Sequence, residues 1–178
     1  MAEFSAYVQV GEKRYRERFG LDFEQFAVGQ KFKHRPGLTL SQQDSRDECL
    51  DTLNQQMLHF DEQFALHGEW RKCLMDSTLT TKVVMGMTWK TFAKRVRLLG
   101  FDEITLTKPM FGGDTIYAES EILEKSDATE TPDASHASAG RLKVRTIGVN
   151  QRGETVANLV YDVLIARAGK DDFKRIDY

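Results

Sequence analysis

The sequence predicts an α+β fold: one antiparallel sheet wrapped around a central buried helix. Three observations lead there. Ser77–Trp89 is almost free of charge and has helical apolar spacing. The C-terminal half contains several long segments of alternating character. No internal repeat and no Gly/Ser- or Pro-rich linker divides the 178 residues, so they form one domain of ordinary size.

The helix comes first. Leu79, Val83 and Met87 lie one turn apart, with Val84 beside them. The other faces carry Thr, Met and Gly, and Lys82 is the sole charge. A helix that is apolar or small on nearly every side is expected to be buried almost all round. The threonines and Gly86 are the features that would instead suit a strand or a kink.

The rest of the N-terminal half also reads as helical. Ser41-Gln42-Gln43-Asp44 has the form of a capping box, opening a helix from about Asp44 to Leu53. Asp61 caps a second, short helix through Phe64 and Ala65. In the first twenty residues Arg14, Arg16 and Arg18 alternate with Tyr15 and Glu17. This stretch (1–20) is expected to be a charged surface arm packed on a partner subunit, with the domain proper spanning 21–178.

The strands follow. Phe101–Lys108 alternates and ends at Pro109, where a ladder donor is missing. Gly112-Gly113-Asp114 signals a turn or bulge. Thr115–Glu124 carries Ile116, Ala118 and Ile122 on one side. Ser126–Gly140, polar and without periodicity, reads as a mobile loop. Arg141–Val149 and Thr155–Ala166 are joined by the hairpin turn Asn150–Glu154, and Leu159, Tyr161, Val163 and Ile165 share a face of the last strand. One buried helix followed by long antiparallel strands packs as a curved sheet around that helix, which is the hotdog fold. Such a sheet has an exposed edge, so a homodimer or higher homo-oligomer is expected.

Composition removes several function classes. Lys+Arg 25 against Asp+Glu 27 leaves a net charge of −2, with no basic field for nucleic acid or an anionic membrane. Cys73–Trp89 is the longest stretch with few charges, and it is too short and too polar to span a bilayer. The N-terminus shows no apolar core of a secretory signal, which implies a cytoplasmic protein. Cys49 and Cys73 form neither a disulfide framework nor a C-x-x-C pair, and the four histidines are scattered, so no structural metal is expected.

Chemistry concentrates in Asp51–Asp61. His59 falls in a turn between one helix end and the next cap. Spacing alone leaves two readings open, a histidine bonded to a loop carbonyl or a catalytic one. The segment Asn54-Gln-Gln-Met-Leu-His59-Phe-Asp61 resembles the signature of the MaoC-like dehydratases, a hotdog family that includes the (R)-specific enoyl-CoA hydratases. His59 stands in the histidine position, Asn54 stands where the family usually has an aspartate, and Gln56-Met57 replaces an Asn-Pro pair. The resemblance continues through Phe23–Gln30, Leu38–Asp44, Asp76–Thr80, Lys108–Thr115 and Asn150–Glu154, in the same order, over roughly residues 20 to 167. Within the family it is nearest to the mesaconyl-CoA hydratases (β-methylmalyl-CoA dehydratases) and itaconyl-CoA hydratases, which act on C5 dicarboxylic acyl-CoA thioesters.

The resemblance implies the chemistry. Adding water to an unsaturated thioester needs a base for the water, an acid for the α-carbon and donors for the enolate oxygen. By position, His59 is the acid/base, Asn54 holds the water, and the Ser77 N–H polarises the thioester from the helix N-terminus, where free N–H groups and the dipole suit an anion. Asp76 and Gly86 of the same segment are grouped with Ser77 as oxyanion and substrate-binding positions. Asp51, Asp61 and Asp76 are the carboxylates that could complete a pair with His59. Arg71, Lys72 or Arg95 could meet a substrate carboxylate, and Lys94, Arg95 and Arg97 could meet CoA phosphates. No cofactor is implied, because the CoA thioester is itself the substrate. Two other readings stay open at this point: a hotdog thioesterase, and a non-catalytic acyl-CoA-binding hotdog in which Asn54 marks a lost site.

Overall fold

Along Thr115–Asp127 and Ala139–Asn150 the chain alternates buried with more exposed side chains, and this pattern builds the sheet that organises the molecule. The structure, a computed structural model, describes residues 5–127 and 138–170. In chain order these are β1 (Tyr7–Gly11), β2 (Arg14–Glu17), β3 (Lys31–Thr39), α1 (Gln42–Thr52), α2 (Glu62–Ala65), α3 (Ser77–Gly86), α4 (Trp89–Phe92), β4 (Arg95–Leu106), β5 (Thr115–Asp127), β6 (Ala139–Asn150) and β7 (Thr155–Ala166). β3 to β7 form a five-stranded antiparallel sheet in the order β3-β5-β6-β7-β4, and β1 pairs with β2 in a separate hairpin.

The sheet curls around α3, which packs on β5, β6 and β7. Leu79 and Val84 from the helix meet Ile116, Ala118, Val144, Val156 and Leu159 in one core, all buried. Each such burial contributes roughly 1.5–3 kcal/mol for a full aliphatic side chain. Gly148 of β6 permits the approach, because a Cβ there would stand 2.7 Å from Val84 Cγ2. This is the hotdog arrangement. Below the helix runs a polar chain: His34 Nε2 to Ser120 Oγ at 2.8 Å, Ser120 Oγ to Thr146 Oγ1 at 2.7 Å, and Thr146 Oγ1 to the Tyr161 hydroxyl at 3.0 Å.

Several expectations hold in detail. Ser41 and Asp44 form the reciprocal capping box (Asp44 N to Ser41 Oγ, 3.2 Å; Ser41 N to Asp44 Oδ2, 2.6 Å), and Asp61 Oδ1 accepts from Phe64 N at 3.0 Å. Both cysteines are free and buried. The hairpin turn at 150–154 carries Gly153 at φ +79°.

Others are corrected. The N-terminal half is not simply helical, because Lys31–Thr39 is a sheet strand; within the stretch expected as an arm, residues 7–17 form a hairpin. β4 begins at Arg95 rather than Phe101, because an edge strand exposed on both sides needs no alternation. α3 ends at Gly86, and within the chain it is buried on one side only, with Ser77, Thr78, Lys82 and Gly86 exposed. The expected loop at Ser126–Gly140 is β-strand at both ends, and 128–137 lie outside the described residues. Among the described residues no helix is long and apolar enough to cross a membrane.

Candidate active site

The site is assembled by the chain between α1 and α3. α1 stops where Leu53 takes a left-handed conformation (φ +57°), and the Asn54 N–H closes the helix on Cys49 O at 2.9 Å. Asn54 Oδ1 then accepts from Gln56 N at 3.0 Å, a side-chain turn typical of asparagine. A single 3₁₀ turn, Met57–His59, follows and leads into the Asp61 cap. The return segment is pinned by Leu74 N to Leu58 O at 3.1 Å and enters α3 through Asp76.

His59 is half-buried. Its Nδ1 lies 3.2 Å from Leu74 O. A carbonyl only accepts, so Nδ1 carries the proton in the neutral ring and Nε2 is left with its lone pair. The His59 carbonyl in turn accepts from Gln42 Nε2 at 2.8 Å, tying the turn to the start of α1. His59, Ser77 and Thr80 line a cleft of about 250 Å3 with Leu74, Met75, Leu106, Pro109, Met110 and Val156. Lys108 is the other ionisable residue of that lining.

Asp76 is buried and caps α3. Its Oδ1 accepts from Thr78 N (2.6 Å) and Thr78 Oγ1 (2.5 Å), and its Oδ2 accepts from Asn54 Nδ2 (2.5 Å). Burial would raise this carboxyl. The hydrogen bonds from Thr78 and Asn54, and the nearby His59, outweigh it and hold Asp76 below the usual carboxylate range. It is therefore an anion at neutral pH. Cys49 Sγ lies 3.7 Å from Asp76 Oδ2, and burial, together with that negative charge, pushes the thiol up to about 11, which leaves it unreactive.

The structure thus brings together His59, Asn54, Asp76 and Ser77. The Ser77 N–H, in the first turn of α3, has no acceptor among the described residues, as expected of an N-terminal amide, and Ser77 lines the cleft. Gly86 does not belong: it closes α3 nine residues on, roughly 13 Å along the axis, exposed and outside the cleft lining. Of the three candidate carboxylates, Asp61 is committed to capping α2 and Asp51 lies on the exposed face of α1. Asp76 is the one that the neighbouring His59 helps to hold ionised. None of Arg71, Lys72, Lys94, Arg95 and Arg97 lines the cleft. Lys94 is paired with Asp22 at 2.6 Å.

Lys108 is the residue that sequence reasoning missed, although it stands directly before Pro109 in a segment already singled out. The loop after it is fixed by Asp114, whose Oδ2 accepts from Phe111 N (3.0 Å). Asp114 Oδ1 accepts from Gln151 Nε2 (2.6 Å) and Arg152 Nη1 (2.8 Å), which anchors the loop to the β6–β7 hairpin.

Fold and site together define a hotdog protein with an imidazole at the mouth of its central helix. The family model of the MaoC like domain matches residues 22–139, and the chain belongs to that family. It is 25% identical over 130 residues to the β-methylmalyl-CoA dehydratase of Chloroflexus aurantiacus, covering 73% of this chain and 36% of that protein. It is 32% identical over 94 residues to the mesaconyl-CoA hydratase of Cereibacter sphaeroides, covering 52% of this chain and 26% of the relative. The chain thus spans only about a third or less of the length of these curated relatives. Among solved structures, the double-hotdog protein Rv0216 of Mycobacterium tuberculosis superposes with a TM-score of 0.75 at 19% identity, over 88% of this chain and 50% of that one.

Proposed function

We propose that this protein hydrates an α,β-unsaturated acyl-CoA, reversibly, with a C5 dicarboxylic enoyl-CoA such as mesaconyl- or itaconyl-CoA as its substrate class. The observation that carries this reading is that His59, whose Nδ1 is held by Leu74 O, lines the same small cleft as Ser77 at the start of α3. The thioester carbonyl accepts from Ser77 N–H, which draws electron density out of the C=C bond. Water attacks the β-carbon as His59 Nε2 takes its proton, and the π electrons move onto the thioester oxygen as an enolate. The imidazolium then returns the proton from Nε2 to the α-carbon, the enolate collapses, and His59 is neutral again. One nitrogen serves both transfers, so water adds to a single face. Asp76, an anion linked to the site through Asn54, stabilises the transient imidazolium.

The cleft of about 250 Å3 suits a short acyl group rather than a long chain. A free carboxylate in this mostly apolar lining is matched by Lys108. We place the enzyme in the cytoplasm as a homodimer. Among the described residues the outer edge of β4 has no strand beside it and exposes Val96, Ile104 and Leu106, and pairing with a second copy would cover it.

The test is a panel of crotonyl-, mesaconyl- and itaconyl-CoA, followed by loss of enone absorbance and by mass for gain of water, with thiol release monitored alongside. Hydration of the dicarboxylic substrates with syn addition, abolished in His59→Ala, supports the reading. Thiol release without hydration, or an undiminished kcat in His59→Ala, overturns it.

A further inference from the structure

A second and larger cavity, about 580 Å3, shares a wall with the His59 turn. Gln42 is that wall: it lines the cavity while its amide donates to the His59 carbonyl. The rest of the lining includes Arg71, Lys72, Phe111 and the two glycines that follow it. Gly112 lies so close to the start of α1 that a Cβ there would stand 2.8 Å from Gln42 N, which keeps this side of the cavity bare of side chains.

The electrostatics are one-sided. Arg71 and Lys72 bring two adjacent cations to the cavity. The acidic residue in the lining, Glu62, is already engaged by Arg46 at 2.5 Å. The Arg71 guanidinium forms no hydrogen bond or ion pair among the described residues. Lys72 Nζ lies 3.8 Å from the centroid of the Phe111 ring, a cation–π contact that leaves its N–H groups available to an anion. Arg71 sits in the left-handed region (φ +52°), fixed on one side by its N–H to Gly68 O (3.3 Å) and on the other by the Leu74–Leu58 bond. A non-glycine residue held against its backbone preference at a cavity rim marks a position that the surrounding structure over-determines.

Placement selects the ligand. Arg71 lies three residues before Leu74, whose carbonyl holds His59, so their Cα atoms are at most about 11 Å apart, yet Arg71 and Lys72 line the larger cavity and not the His59 cleft. A C5 acyl group ends within a few bonds of the attacked carbon and meets Lys108 instead. The pantetheine arm carries the phosphates of CoA away from the thioester by many bonds. We infer that Arg71 and Lys72 bind the phosphate groups of the CoA moiety in this cavity, with Phe111 as an apolar face beside them. The inference rests on the acyl-CoA reading of the His59 cleft.

The experiment measures binding first, without turnover: calorimetry of the full chain with free CoA and with pantetheine, which lacks the phosphates. The double variant Arg71→Ala/Lys72→Ala is expected to weaken CoA at least tenfold and to leave pantetheine unchanged. Arg71→Glu/Lys72→Glu is expected to weaken CoA further, and both residues are exposed, so the fold should persist by circular dichroism. In turnover, KM should rise by the same factor for crotonyl-CoA and mesaconyl-CoA while kcat holds. Unchanged CoA affinity in both double variants overturns the inference. So does a KM increase confined to mesaconyl-CoA, which would make the pair a reader of the acyl carboxylate. A wild-type protein that binds CoA through these residues but hydrates no enoyl-CoA would refute the hydratase reading and leave this site standing. Hydration with normal KM in the variants would do the reverse.

Discussion

The Asn54 side-chain N–H donates to Asp76 Oδ2 at 2.5 Å, joining the loop that carries His59 to the cap of α3. Asn54 therefore does more than occupy an aspartate's place, since it ties the segment leading to His59 to an existing buried anion. Asp76→Asn removes that charge and keeps the helix cap, because asparagine caps helices about as well as aspartate. Its amide cannot also accept from Asn54 Nδ2, so stability should fall by about 1–3 kcal/mol, while kcat falls tenfold or more for lack of a counter-charge to the imidazolium. Thermal unfolding and steady-state kinetics read the two effects separately. An unchanged kcat would remove Asp76 from the mechanism.

Asn54→Asp follows from the same contact. A second carboxylate would stand within hydrogen-bond distance of Asp76, where two anions cannot both ionise comfortably. The variant should lose on the order of 1–3 kcal/mol at pH 8, since a donor is replaced by a charge that repels. Part of that loss should be recovered near pH 5, as the pair shares a proton. Hydration should fall. A clear gain in activity would show instead that the asparagine marks a degenerate site.

The elements legible in the sequence are those specified locally. The Ser41–Asp44 box, the Asp61 cap, and β5 and β7 with their buried faces all follow from spacing. Most of β3 is hidden because Lys31–Arg35 holds a single apolar residue among basic ones and Pro36-Gly37 reads as a break; only its end, Leu38-Thr39, is marked by the family resemblance. Its pairing is fixed by β5 across the sheet, where Lys33 and Arg35 meet Glu119 at 3.5 and 3.6 Å. The site divides in the same way. His59 and Ser77 are visible in motif spacing. The bond from Asn54 to Asp76 spans 22 residues, and the convergence of Lys108 on the cleft depends on the loop that Asp114 ties to the β6–β7 hairpin. Such pairings exist only once the sheet has closed on α3.

Gly148 tests how tightly that closure sets the site. A Cβ at this position would collide with Val84 Cγ2, which belongs to a fully buried side chain with little room to move. Gly148→Val should destabilise the fold by roughly 1–3 kcal/mol through overpacking. It should also lower kcat, because α3 carries the Ser77 N–H. Gly148→Ala should show a smaller effect in the same direction. Normal stability and activity in both variants would mean that α3 is free to shift without consequence.

The acid limb of stability should belong largely to His34. Burial is the main cause of its depressed pKa, with the Arg35 charge adding to it, and the ring is pushed down to about 4. Its Nε2 meets Ser120 Oγ in the polar chain beneath α3. In the unfolded chain a histidine titrates near 6.5, so between about pH 6.5 and 4 the unfolded state binds the extra proton and the folded state does not. Stability from this residue is therefore complete above about pH 6.5 and is lost progressively as pH falls towards 4. The loss amounts to at most about 3 kcal/mol. His34→Gln, which keeps a hydrogen-bonding side chain without a titrating ring, should be less stable than the parent at pH 7.5. Its unfolding free energy should stay nearly flat between pH 7 and 4.5, while the parent's declines. Parallel curves for the two proteins in urea unfolding across that range would show that His34 is not the group that titrates.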